Sequence, residues 1–299
     1  MSDLRHIAVI DVGKTNAKLA LVDLVELREV AVVTRPNTVL AGPPYPHFDL
    51  EGHWDFFLEQ LGAFHRAHGI DGISITTHGA AGVLLDAGGN LATPMLDYEH
   101  DGPDELAAEY EAIRPAFADT GSPRLPGGLN LGAQLYWLLR RDPQLLDRTA
   151  RIVTYPQYWG YRLTGRFASD VSSLGCHTDM WEPRAGRPST LVEKLGIAGK
   201  LAPARHASEV LGQLTTAVAA RTGLPESTPV LCGIHDSNAS LLPHLLGRTG
   251  TFSVVSTGTW VIAMSIGGKQ SELDPARDTL INVDAHGNPV PSARFMVGR

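Results

Sequence analysis

The chain has 299 residues, of which 43% are hydrophobic and 19% charged, and a formal net charge of -7. This length and apolar content suit two packed domains and exclude global disorder, while the acidic balance excludes a general nucleic-acid or anionic-membrane binder, which needs a basic face. No apolar run approaches the ~20 residues of a membrane span, MSDLRHIAVI has no secretory pattern, and two cysteines, Cys176 and Cys232, cannot build a disulfide framework, so a reduced, cytoplasmic setting is expected.

Three short β-branched runs open the chain, at residues 6–11, 17–22 and 30–33, and read as adjacent antiparallel strands. AGPPYPH is a Pro/Gly loop. Trp54, Phe57, Leu58, Leu61 and Phe64 then recur at helical spacing, and GISITT, residues 72–77, reads as a buried strand. Strands followed by helices at this rhythm indicate an α/β sheet. Residues 103–113 predict a helix with proline in its first turn, GSPRLPGG a loop, and residues 131–141 a helix ending in basic residues. Residues 156–163 predict another helix stopped at Thr164-Gly165, and PRAGRP a surface turn. VLCGIHDS is a strand running into a polar turn. The domain boundary is placed there, giving domains of 1–230 and 231–299.

Val9-Ile10-Asp11-Val12-Gly13 is echoed by Val254-Val255-Ser256-Thr257-Gly258: each is a β-branched strand, a small polar residue, a spacer and a glycine. Two such turns point to a duplicated fold with a phosphate turn in each half; common strand-turn-strand geometry is the alternative. Gly13-Lys14-Thr15 is not a P-loop, because Ala8 stands where that motif needs its first glycine and a strand, not a helix, follows. A hairpin turn fits better, with Gly13 allowing close approach to a phosphate and Asp11 able to hold a hydrated Mg²⁺. An ordinary Asp/Gly/Asn turn is the structural alternative. Ser256, Thr257, Gly258 and Thr259 offer a second hydroxyl-rich turn. In GIHDSN, Asp236 sits where a carboxylate could take a proton from a hydroxyl; Asp236 or Ser237 could equally cap a helix. His78 closes the 72–77 strand and could bond a polyol or simply be structural. No HExxH, GxSxG, GxGxxG or paired CxxC occurs, so those chemistries lack their anchors.

Taken in order, these segments resemble the FGGY carbohydrate kinases. IAVIDVGKTNAKLALVD resembles the first phosphate motif, THGAAGVLLD the sugar-side strand and hairpin, and YPQYWGYRLTGRFASDVSSLG the stretch ahead of the second domain. GIHDSNAS resembles the catalytic-aspartate segment and STGTW the second phosphate motif. The resemblance implies an actin-like (ribonuclease H-like) α/β fold of two βββαβαβα domains around a cleft. It implies ATP and Mg²⁺ held by Asp11, Gly13, Lys14, Thr15, Asn16, Lys18, Ser256, Thr257, Gly258 and Thr259, with Asp11 on the metal. It further implies a sugar bound by His78, Gly79, Asp97, Gln157, Trp159 and Asp236, with Asp236 as general base.

Two departures accompany the resemblance. The Trp-Asp-x-Arg segment of many members is replaced by Leu96-Asp97-Tyr98-Glu99-His100-Asp101, and Gln157 stands where relatives often have Asp. The chain also ends soon after the second phosphate turn, and so reads as a member truncated in its second domain, expected to bind a ketose weakly and to turn over ATP poorly. The expected acceptor is a deoxy-ketohexose such as fuculose or rhamnulose, with xylulose as the alternative. A non-catalytic sugar-binding module is the rival reading. A homodimer is left open.

Overall fold

The computed structural model describes residues 4–257, 260–268 and 272–296. Its main sheet starts as the β-branched runs dictate. Strand β1 (His6–Val12), β2 (Asn16–Asp23) and β3 (Arg28–Pro36) form an antiparallel meander, with Asp11 directly opposite Lys18. Alternation along β1 sends Ala8, Ile10 and Val12 wholly into the core. The strand Gly72–Thr77 then lies parallel to β1, and Pro229–Leu231 parallel to it in turn. The full order is Val210–Gln213, Pro229–Leu231, Gly72–Thr77, β1, β2, β3, with Ile234–His235 also paired to Gly72–Thr77.

Helix α1 (Leu50–His68) begins at Asp49, whose carboxylate accepts from the Gly52 N–H at 3.0 Å, and ends with basic residues in its last turn. It buries Trp54, Phe57, Leu58, Leu61 and Phe64 in one cluster with Ile10, Leu19 and Leu21. Truncating the fully buried Phe57 to alanine would cost about 3–5 kcal/mol. The helix Leu131–Arg141 matches its sequence reading, and Tyr155–Thr164 starts with Pro156 in its first turn and stops at left-handed Gly165. The segment expected as one helix over 103–113 is a 3-10 turn, Gly102–Leu106, followed by the α-helix Ala107–Ile113. Among the described residues no helix is long and apolar enough to cross a membrane.

The expected boundary at 230/231 falls inside the first sheet. Val230 pairs with Ile73, Ile234 with Thr76 and His235 with Thr77, so both short strands run along one edge of Gly72–Thr77. Gly233, at φ +93°, makes the kink between them, and a Cβ there would lie 3.0 Å from the Ile75 carbonyl oxygen. The second sheet begins only at Phe252 and is wholly antiparallel, in the order Phe252–Thr257, Trp260–Ile266, Pro289–Met296, Thr279–Val283. The helix Asp236–Gly247 links the two sheets: it starts at the edge of the first, and its Leu241 packs with Met264 and Val290 of the second.

Candidate active site

The hairpin between β1 and β2 is a three-residue turn, Gly13-Lys14-Thr15, closed by the Gly13 N–H on the Asn16 carbonyl at 2.9 Å. Asn37 straps it from outside: its N–H donates to the Thr15 carbonyl at 2.9 Å and its Nδ2 to the Gly13 carbonyl at 2.8 Å. His53 and Arg35 hold Asn37 in turn. Arg35 donates to His53 Nδ1 at 2.8 Å, so the His53 proton sits on Nε2 and reaches Asn37 Oδ1 at 2.8 Å. Thr15 and Asn16 stay exposed at the turn. A Cβ on Gly13 would meet only the Asn16 carbonyl oxygen, at an ordinary 3.6 Å. The fold itself therefore does not require glycine at this position.

Asp11, next to last in β1, lies beside Lys18, with Nζ 3.3 Å from Oδ2. Burial raises the Asp11 carboxyl above its ordinary range; Lys18 opposes this and the negative charge of Asp236 adds to it. Asp236 is the first residue of its helix rather than the cap, which is His235. Its Oδ1 accepts from the Ser237 N–H at 2.6 Å, lies 3.3 Å from Ser237 Oγ and lies 3.2 Å from His235 Nε2. Among the described residues, all of these contacts fall on one carboxylate oxygen. Desolvation raises the Asp236 carboxyl, against the pull of His78 and Ser237.

His78 follows the strand Gly72–Thr77, its N–H bonded to the Val12 carbonyl at 2.8 Å. Its Nδ1 lies 2.9 Å from the Gly79 carbonyl oxygen, which can only accept, so the proton is on Nδ1 and Nε2 is an acceptor. That Nε2 is buried without a hydrogen-bond partner among the described residues, and burial lowers the imidazole pKa, keeping it neutral. Phe48, Tyr98 and Tyr155 surround the ring, with centroids 5.2, 5.1 and 5.0 Å away. These three aromatics come from separate segments, and no local sequence pattern singles them out. Lys14 crosses to the same place. Its Nζ pairs with Asp97, lies 3.3 Å from Glu99, and sits over the Tyr98 ring at 4.7 Å and the Phe48 ring at 5.1 Å.

Other sequence candidates lie elsewhere. Gln157 is fully buried, and its amide donates to the carbonyls of Cys232 at 2.8 Å and Gly233 at 3.2 Å, so it fastens the chain leading to Asp236 instead of reaching the cleft. An aspartate could not make these bonds, because an ionised carboxylate only accepts. Trp159 is likewise fully buried, edge-on to Phe57 at 5.3 Å and to Tyr158 at 5.0 Å, and belongs to the core. Gly79 leaves room for a neighbouring ring: a Cβ there would be 2.6 Å from His235 Nε2. Ser256 and Thr257 end the first strand of the second sheet, opposite Ile262 and Val261. Gly258 and Thr259 lie outside the described residues.

A family model for the N-terminal domain of the FGGY family of carbohydrate kinases matches residues 6–243, and one for the carbohydrate kinase FGGY C-terminal domain matches 249–299. Both break where the second sheet is about to begin, in agreement with the strand pairing. L-fuculokinase of Escherichia coli (strain K12) is 28% identical over 273 residues, covering 86% of this chain and 56% of that protein. Xylulose kinase of the same strain is 26% identical over 271 residues, covering 83% and 54%. The chain thus spans about half the length of these curated relatives. A solved carbohydrate kinase from Novosphingobium aromaticivorans superposes at TM-score 0.90 with 41% identity, over 97% of this chain and 64% of that one. Xylulose kinase from Rhodospirillum rubrum superposes at 0.80 with 25% identity, over 98% and 62%. The mixed sheet and these likenesses bear out the actin-like ATPase fold. With both domain models matched in order across nearly its whole length, the chain belongs to the FGGY family of carbohydrate kinases.

Proposed function

We propose that this chain carries the acceptor site and general base of an ATP-dependent carbohydrate kinase. The observation that carries the reading is the juxtaposition of Asp236 and His78, which follow the paired residues His235 and Thr77 of adjoining parallel strands. One group is a carboxylate with its contacts gathered on Oδ1; the other is a neutral imidazole with a buried, unpartnered acceptor nitrogen. A sugar hydroxyl donating to His78 Nε2 would satisfy that nitrogen, whose desolvation otherwise costs about 1–3 kcal/mol. A neighbouring hydroxyl gives its proton to Asp236 as its oxygen attacks the γ-phosphorus. The new O–P bond forms while the bond to the ADP bridging oxygen breaks.

Asp11 fits Mg²⁺, a hard cation that takes one or two carboxylates and fills its remaining positions with water and phosphate oxygens. The fit rests on the donor itself: Asp11 offers a partly exposed carboxylate whose Oδ2 lies 3.3 Å from Lys18 Nζ. Mg²⁺ bound there would supply charge neutralisation on the phosphates. The open face of Gly13, with Thr15, Asn16 and Lys18 around it, suits the approach of a phosphate, and Ser256, Thr257, Gly258 and Thr259 are assigned to the second phosphate turn. Asp97 and Lys14 are assigned to the outer wall of the sugar site.

For the acceptor we favour a deoxy-ketohexose such as fuculose or rhamnulose. Phe48, Tyr98 and Tyr155 give His78 an apolar surround suited to a methyl group and sugar C–H faces, and a fuculokinase is among the relatives. A pentulose such as xylulose is the second reading, favoured by the xylulose kinase relatives. The test is an ATP-turnover screen over ketoses and polyols, on this chain and on one extended through a complete second domain. Ketose-dependent ADP release by the extended form is expected. Ketose binding without turnover by either form would favour a sugar-binding module and overturn the proposal.

A further inference from the structure

We infer that Thr154, Gln157, Asp170 and Ser172 form one closed hydrogen-bonded clamp on residues 232–235, and that this clamp positions Asp236 without touching either ligand. The consequence rests on the kinase reading above; the geometry does not.

The proton of every link follows from its partners. Gln157 Nε2 donates to the carbonyls of Cys232 at 2.8 Å and Gly233 at 3.2 Å, so its Oε1 faces Thr154. That oxygen only accepts, so the Thr154 hydroxyl donates to it and in turn accepts from the Asp170 N–H at 3.0 Å. From the other side, the His235 N–H donates to Ser172 Oγ at 3.2 Å, and the Ser172 hydroxyl donates to Asp170 Oδ2. The links therefore run in one sense, from His235 through Ser172, Asp170, Thr154 and Gln157 back to residues 232 and 233. In such a chain each bond polarises the next. All four side chains are buried.

The clamp takes side chains away from ordinary helix capping. Thr154 is the cap residue of Tyr155–Thr164 and Gln157 stands three residues on, the spacing of a capping box. Yet the Thr154 side chain makes no capping bond to that helix, and both side chains are turned to the clamp instead. What they hold is the kink at Gly233, at φ +93°. Beyond the kink, Ile234 and His235 pair with Thr76 and Thr77, and Asp236 comes next. Sheet pairing holds those two residues against Gly72–Thr77. The clamp supplies the bonds to the two carbonyls before them and to the His235 N–H, so a loosened clamp lets the kink shift and carries the Asp236 carboxylate with it.

The test has two parts. In this chain, hydrogen exchange followed by NMR is expected to be slow at the Gln157 side-chain amide and at the His235 N–H, and Thr154→Val is expected to speed both. In the form that transfers phosphate, Thr154→Val and Gln157→Met are each expected to lower kcat about ten- to a hundredfold, as for a base displaced by up to ~1 Å, with ketose KM within about twofold. Thr154→Ser, which keeps the hydroxyl, is expected to restore most of the rate. Thr154→Val combined with Ser172→Ala is expected to lose less than the product of the two single losses, because both break one unit. Fast exchange of the Gln157 amide in the unsubstituted chain would overturn the inference whether or not the protein is a kinase. So would equal kcat in the Val and Ser variants, or losses that multiply in the double variant. Absence of transfer by the unsubstituted protein would instead strike the kinase reading, leaving the exchange rates to decide the clamp.

Discussion

Lys14 of the β1–β2 turn pairs with Asp97, 83 residues along the chain, so a single side chain ties the hairpin to the loop that carries Asp97, Tyr98 and Glu99. The resemblance places Lys14 with the phosphates and Asp97 with the sugar. The structure sends the Lys14 ammonium over Tyr98 and Phe48, 3.3 Å from Glu99, on the side proposed for the sugar.

Replacing Lys14 should therefore be felt by the ketose before ATP. Lys14→Met is expected to weaken ketose binding about fivefold, in line with ~1 kcal/mol for a partly exposed pair, and ATP less than twofold. Separate calorimetric titrations check this. A larger loss for ATP would return Lys14 to the phosphates.

Gly13→Ala should separate folding from ligand approach. A Cβ at Gly13 meets nothing closer than 3.6 Å, so melting temperature should hold or rise slightly, as for other tolerated Gly→Ala changes. ATP affinity should nonetheless fall about tenfold or more, from crowding of the phosphate, with ketose affinity unchanged. Equal loss of both ligands would point to a distorted hairpin.

What the sequence reveals here depends on how local each feature is. The opening meander, α1 and the helix Leu131–Arg141 are legible because period and end signals lie within each segment. Gln157 and Trp159 mislead because motif adjacency does not say which way a side chain points. Two residues apart on a helix lie about 200° around it, so both could not face one cleft, and nearly all of Tyr155–Thr164 is buried. The continuation of the first sheet past residue 230 is hidden because the parallel pairing of Val230 with Ile73 is a long-range event. Phe48, Tyr98 and Tyr155 meet around His78 only in the folded chain.

Acid should destabilise the fold through its buried histidines. His53 falls from 6.5 to about 4, through burial and then Arg35, and His235 falls equally far through burial. A base whose pKa drops on folding binds fewer protons folded than unfolded. Stability is therefore lost as pH falls below 6.5, and the loss is complete near 4. For His53 alone this amounts to at most ~3 kcal/mol. Melting temperature should drop across that window, and His53→Gln should flatten the drop. A pH-independent melting temperature between 6.5 and 4 would contradict the assigned protonation states.

The central claim is that Asp236 takes the proton of the acceptor hydroxyl. The most direct measurement is ³¹P NMR of phosphate-ester formation from MgATP and a ketose, in the form with a complete second domain, comparing the unsubstituted protein with Asp236→Asn. Asp236→Asn is predicted to form the ester about 10²–10⁴-fold more slowly, the usual weight of a general base, while binding the ketose with unchanged affinity. A rate within tenfold of the unsubstituted protein would contradict the account.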